Sequence, residues 1–235
     1  MPARLEESAA AAAAPCYAII DGTVEFSNAV AVETVCYTSQ FDYRDGVILQ
    51  ILLRSYPPAS AFVVESSTPD DPGNSFEDNL FQTSSFLFDY LTSFNSKSQN
   101  LTGARTAPFT LRPPVAGRTA QENWVGAMAL APSVWHPAGK PQPPASTIPS
   151  VDVVLFGGVT MAVNPKLLTS APTEDDFRAA YQELEISLNF LPLPGRWVIN
   201  TSSPLTPSFN FLFGQDYNGS AWRIEAAAEV YHVSD

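Results

Sequence analysis

PSFNFLFGQDYNGSAWRIEAAAEVYHV, residues 207–233, is the stretch whose reading decides the fold. Phe209, Phe211 and Phe213 recur at every second position with Asn210 between them, and successive side chains of a strand point to opposite faces. Asn218-Gly219 supplies residues that tolerate the positive φ of a tight hairpin turn. The return run places Trp222, Ile224, Ala226, Ala228 and Val230 on one face and Arg223, Glu225 and Glu229 on the other. The spacing therefore predicts a two-strand antiparallel unit.

Working outward, Arg196 to Asn200 reads as a further strand. Leu184, Ile186, Leu188 and Phe190 alternate with Glu183, Glu185, Ser187 and Asn189, which predicts a one-sided strand. A short helix over Glu174 to Gln182, capped by Thr173 and acidic in its first turn, precedes it. Val151 to Val163 is β-prone, with Gly157-Gly158 marking a bulge or tight bend. Pro132 to Ser150 is a Pro-rich loop expected on the exposed surface, and Trp124 to Ala131 returns to strand. Ser75 is a helix N-cap followed by Glu77 and Asp78, with Phe76, Leu80, Leu87, Tyr90, Leu91 and Phe94 at rough helical spacing. Gly46 to Tyr56 is a continuous apolar run closed by Pro57-Pro58, predicting a strand covered on both faces. Ala61 to Glu65, Tyr17 to Ile20 and Thr23 to Tyr37 complete the set. The expected fold is all-β: an antiparallel two-sheet sandwich, a jelly roll, with one or two short helices in the connections. The expected organisation is a flexible Ala-rich arm over residues 1–15 and one sandwich domain over 16–235. No internal repeat is visible.

Acidic residues outnumber basic ones 24 to 12, for a formal charge of −12, which argues against general nucleic-acid binding. One local exception lies between Asp89 and Glu122, where no acid occurs but Lys97, Arg105, Arg112 and Arg118 do. That segment is the candidate for contacting nucleic acid or an inner surface. Asp70 and Asp71, in a loop, are the candidate carboxylates for Ca²⁺ at a subunit contact. Tyr56 and Trp135, beside prolines, are candidate interface aromatics. His136 and His232 have no carboxylate, Ser or Cys at motif spacing, and no phosphate-cradling loop, nucleophile elbow or Cys-x-x-Cys pair occurs. No enzyme and no resident cofactor are expected. The two cysteines, Cys16 and Cys36, read as free buried thiols rather than as a disulfide framework. The alanine run is too short and too weakly apolar to insert in a membrane, and the sequons at Asn100, Asn200 and Asn218 are short enough to arise by chance.

The run Ala221 to Tyr231, AWRIEAAAEVY, resembles the last strand of jelly-roll coat proteins of small icosahedral RNA viruses of the nodavirus-like and tombusvirus-like groups. The Ala-rich arm, scarce lysines, many prolines and long loops are similar to those coats as well. The resemblance implies a structural virion protein that self-assembles into an icosahedral capsid around the genome. Its partners would be further copies of itself or sister coat proteins, with viral RNA held through few basic contacts. This chain departs from the pattern in lacking an Arg/Lys-rich N-terminal arm. The alternative is a non-enzymatic β-sandwich binding module, a protruding domain or a glycan or receptor binder, with Trp124, Trp135 and Trp197 as stacking residues.

Overall fold

The computed structural model describes residues 16–18, 32–43, 50–69, 71, 73–101, 108–115, 122–131, 134–135, 137, 142–191, 193–212 and 222–233. The expected N-terminal arm, Phe213 and the Asn218-Gly219 turn lie outside the described residues.

The strands are β1 (Cys16–Ala18), β2 (Val32–Thr34), β3 (Thr38–Tyr43), β4 (Ile51–Tyr56), β5 (Ala61–Pro69), β6 (Phe109–Arg112), β7 (Asn123–Ala129), β8 (Val151–Phe156), β9 (Val159–Leu168), β10 (Arg196–Ile199), β11 (Ser208–Leu212) and β12 (Trp222–Val233). Helix α1 (Phe76–Thr92) follows β5, and α2 (Glu174–Phe190) follows β9. The described residues are mostly β and antiparallel, sandwich-like, with two helices in the connections. A two-stranded sheet, β1-β2, accompanies a curled ten-stranded sheet of order β3-β4-β9-β12-β11-β6-β7-β5-β8, with β10 pairing the far end of β12. The terminal hairpin forms as its spacing dictates: Phe209 pairs with Ala226 and Phe211 with Ile224, so the aromatic and aliphatic faces coincide.

Both helices start where the caps predict. Ser75 and Thr173 each accept from the third residue on, and Asp78 and Asp176 reach back to the cap amides. Each such cap contributes about 1 kcal/mol. The strand expected over Leu184 to Phe190 is instead the second half of α2. Phe177, Ala180, Leu184 and Ser187 recur three and four residues apart and form its buried stripe. The alternation divides between two sides of the helix: Leu184 faces the core, whereas Ile186 and Phe190 are exposed.

Two further expectations are corrected. The Pro-rich stretch is not simply exposed surface, because Trp135 is buried in the main core and the Pro144 carbonyl accepts from the Tyr90 hydroxyl at 2.7 Å. Asn95 and Ser146 also form a β-bridge across it. Cys36 is disulfide-bonded rather than a free thiol. The only other cysteine in the chain is Cys16, whose strand lies in register with β2 through Thr34, two residues before Cys36.

The strand order reveals a repeat that the sequence hides. Outward from the β11–β6 seam, one half runs β6-β7-β5-β8 and the other β11-β12-β9-β4. In each half the third strand leads into the helix that packs back over the second and third strands. Register relates the halves by an approximate twofold through the Thr110–Asn210 pair. The helix-facing side of the seam holds the centre of the core, where Phe76, Phe109, Phe177, Phe209 and Phe211 interlock with ring centroids 4.8–6.2 Å apart. The opposite side of the sheet is covered in part by Val35, packed on Val63, Ala127 and Ala129.

Candidate functional site

Chemically distinctive side chains gather in two places, one on each side of the sheet. On the side away from the helices, register lines up Pro165, Glu225, Asn210, Thr110, Ala127, Glu65 and Asp152 across seven strands, seam included. Arg54 reaches Glu225 with both terminal nitrogens, at 2.8 and 2.6 Å. Asn210 donates to Glu225 at 3.4 Å, and Thr110 donates to Asn210 at 2.8 Å. Arg112 donates to Glu65 at 2.6 Å and to the Pro204 carbonyl at 3.2 Å. Burial works against the charge on Arg54, yet the Glu225 carboxylate outweighs it and holds the guanidinium pKa above its ordinary value. The Tyr37 ring covers that guanidinium 4.9 Å away. Beside it, burial pushes the Tyr56 hydroxyl up to about 12.

Among the described residues this row couples the two halves through ion pairs and hydrogen bonds. Both guanidiniums are engaged by carboxylates, and Ser203 donates to Glu229, which also accepts from Asn200. His232 instead packs edge-on against Trp197, with ring centroids 5.2 Å apart. Among the described residues no group of three or more His, Cys, Asp or Glu stands close enough to hold a metal ion.

The second place is the solvent side of the helices. Helix α1 buries Phe76, Asn79, Thr83, Leu87 and Tyr90 and leaves Phe81 and Phe88, seven residues apart on one stripe, 73% and 61% exposed. Glu77, Asp78 and Asp89 flank that stripe, and α1 carries no base. Phe76 and Phe177, from the first turns of the two helices, meet over the seam with ring centroids 6.0 Å apart. Acids also fill the first turn of α2, at Glu174, Asp175 and Asp176. The one base of α2, Arg178, is paired with Glu174. On α2, Ile186 and Phe190 are exposed as well.

Of the residues singled out in the sequence, the structure brings Arg112 and Tyr56 to the row across the sheet. Lys97 is exposed, its backbone amide bound to the Asn95 side chain at 3.2 Å. Arg112 is 5% exposed and engaged by Glu65, so it does not offer its charge to a polyanion. Arg105, Arg118 and Asp70 lie outside the described residues, while Asp71 is exposed and accepts from the Gly73 amide at 2.9 Å. Tyr56 is half-buried against Tyr37 and Phe156. Trp124 and Trp135 are buried in the core and present no stacking face, and the Trp197 indole donates to the Pro194 carbonyl at 3.1 Å. Sequence reasoning passed over Phe81 and Phe88, although their position off the core stripe of α1 was a legible signal. It passed over the Arg54–Glu225 pair because nothing local links residues 171 positions apart.

No protein family profile matches the chain, and no curated protein matches it. Two solved structures from Listeria innocua are similar in outline. One, an uncharacterized conserved protein, shares 10% identity at a TM-score of 0.46 and covers 77% of this chain and 92% of its own. The other, described as a hydrolase, shares 9% identity at 0.45, covering 77% and 91%. At those scores the likeness bears no weight for fold or activity. The chain's own geometry defines a curled antiparallel sheet with a helix layer whose outer surface is acidic and aromatic. Among the described residues, no helix is long and apolar enough to cross a membrane.

Proposed function

We propose that this protein is a non-enzymatic binding module whose working surface is the solvent side of its helix layer. One observation carries the reading: Phe81 and Phe88 stand in water on one stripe of α1, flanked by Glu77, Asp78 and Asp89 with no base on the helix. Large exposed apolar side chains grouped in this way mark interaction surfaces. The acids repel anions and draw cations over a Debye length of about 8 Å at physiological salt. The partner that fits is an amphipathic, Lys- or Arg-rich segment that lays an apolar stripe on the two rings.

Fluorescence anisotropy with a labelled amphipathic lysine-rich helical peptide tests this, using the same peptide with glutamate at every lysine as control. The lysine peptide should bind, the glutamate peptide should not, and changing Phe81 and Phe88 together to Ser should weaken binding at least tenfold. Both rings are exposed, so the fold should be retained, as far-ultraviolet circular dichroism will report. Binding that ignores the double change would overturn the reading.

Coat-protein assembly is a second reading, favoured by a separate observation. Apolar side chains stand exposed in several directions: Phe81 and Phe88 on the helix layer, Leu167 on the opposite side and Leu155 on an end strand. A closed shell requires more than one contact surface per copy. On this reading the protein resides in the virion and meets RNA through few bases. Regular particles of megadalton mass by light scattering would favour it, and a stable species of one to three copies would end it.

A further inference from the structure

The ten-stranded sheet ends in β3 on one side and β8 on the other, and the two ends are built differently. Strand β3, TSQFDY, is polar, exposes its first three residues, and shifts register against β4 between Ser39 and Phe41. A polar edge strand broken by a bulge resists pairing with another chain. Strand β8, VDVVLF, carries one charge and neither proline nor bulge. It pairs with β5 in unbroken register from Val151 opposite Ser66 to Phe156 opposite Ala61. No strand among the described residues pairs with its other edge, and Leu155 there is 60% exposed. A regular, apolar, open edge is a template for an added strand.

We propose that β8 pairs with β8 of a second copy of this chain, antiparallel and about a twofold axis through Val154. Self-pairing requires directly opposed residues to share a face, so the axis must pass through a residue rather than between two. Charge selects which residue. An axis through Val153 sets Asp152 opposite the partner's Val154, leaving the two Asp152 carboxylates on a diagonal about 7–8 Å apart. An axis through Val154 sets Asp152 opposite the partner's Phe156 and separates the carboxylates by four residues along the strands. It also places Leu155 opposite the partner's Val153, covering the exposed apolar side chain of the edge. A six-residue edge gives a small, reversible contact. Two copies of charge −12 repel, so the dimer strengthens as salt screens them, the reverse of the salt response expected for a cationic peptide on the helix layer.

The chain has no free thiol, so a cysteine introduced into β8 reports on the register. Across a twofold at Val154 the two α-carbons lie about 4.5–5.5 Å apart, within disulfide reach, whereas those of Leu155 sit about two residues off register and outside it. On mild oxidation, Val154→Cys should give at least tenfold more disulfide-linked dimer than Leu155→Cys. Collisional cross-linking would instead favour position 155, which is the more exposed. Sedimentation of the unmodified chain should show a dimer that tightens from low to moderate salt, and Leu155→Lys, tolerated at an exposed site, should weaken it at least tenfold. Equal cross-linking at the two positions, or a monomer at every concentration and salt, would overturn the proposal.

Discussion

The half built on α1 and the half built on α2 share a strand order and differ in how the helix meets the sheet. Under α1 the contact is polar and close. Ser66 donates to the Thr83 carbonyl at 2.8 Å, Thr68 to the Asn79 side chain at 3.2 Å, and Thr83 to the Asn79 carbonyl at 2.8 Å. Gly126 on β7 makes room for this approach, since a Cβ there would fall 2.5 Å from that of Thr83. In the other half the position matched by register is Ile224: Leu111 pairs with Gly126 as Phe211 pairs with Ile224. Helix α2 stands on apolar volume, with Phe177 stacked on Phe209 at 5.0 Å and Leu184 packed among Ala162, Ala228 and Val230. Its polar contacts are incomplete. Asn164 donates to the Ala180 carbonyl at 2.8 Å, but its own side-chain oxygen and the buried Ser187 hydroxyl have no partner among the described residues. One topology thus tolerates two packing chemistries, one set by donor–acceptor distance and the other by side-chain volume.

Four changes would break or sharpen that contrast. The largest effect is expected from Phe177→Ala, which empties the ring at the centre of the aromatic cluster. It should cost about 3–5 kcal/mol in urea unfolding, because the surrounding rings relax only partly into the cavity. Gly126→Ala should cost about 1–3 kcal/mol by forcing α1 off β7, and an added methyl that leaves the unfolding midpoint unchanged would show that the close approach is not needed.

A third comparison sets one buried polar side chain from each half side by side. Asn79→Ala removes the acceptor of the Thr68 hydroxyl and should cost about 1–3 kcal/mol. Ser187→Ala removes a hydroxyl that has no partner among the described residues and improves helix propensity, so it should be neutral or stabilising by about 1 kcal/mol or less. If both cost the same, the halves do not differ as described. The smallest effect concerns the α1 cap. Hydrogen bonds from the Ser75 amide and then its hydroxyl hold the Asp78 carboxyl below its ordinary value. Its contribution is therefore complete above the usual carboxylate range, near pH 4, and is lost as the pH falls through the lowered value. Amide exchange in the first turn of α1 should quicken over that acid range, and Asp78→Asn should remove the dependence.

Much of the fold was legible because its signals are local. The terminal hairpin followed from the two-residue period of Phe209 and Phe211 against Trp222, Ile224 and Ala226. Both helix starts followed from Ser75 and Thr173, whose caps need only the next three residues. The end of α2 was not legible, because Leu184, Ile186, Leu188 and Phe190 satisfy the strand period while Phe177, Ala180, Leu184 and Ser187 satisfy the helical one. Only the sheet beneath decides between them, by burying the second set. Arg112 was illegible for a related reason: it is a free charge in one dimension and the partner of Glu65 in three.

By itself, the sequence determined the β-rich antiparallel class, the terminal strand pair and the two capped helix starts, each set by interactions within a few residues of one another. Tertiary structure alone decided the strand order, the hidden twofold between halves, the ion pairs that span the sheet and the contrast between its bulged and open edges. Those features depend on which distant strands become neighbours, and that choice follows from how the whole chain can bury its apolar faces while pairing its polar groups.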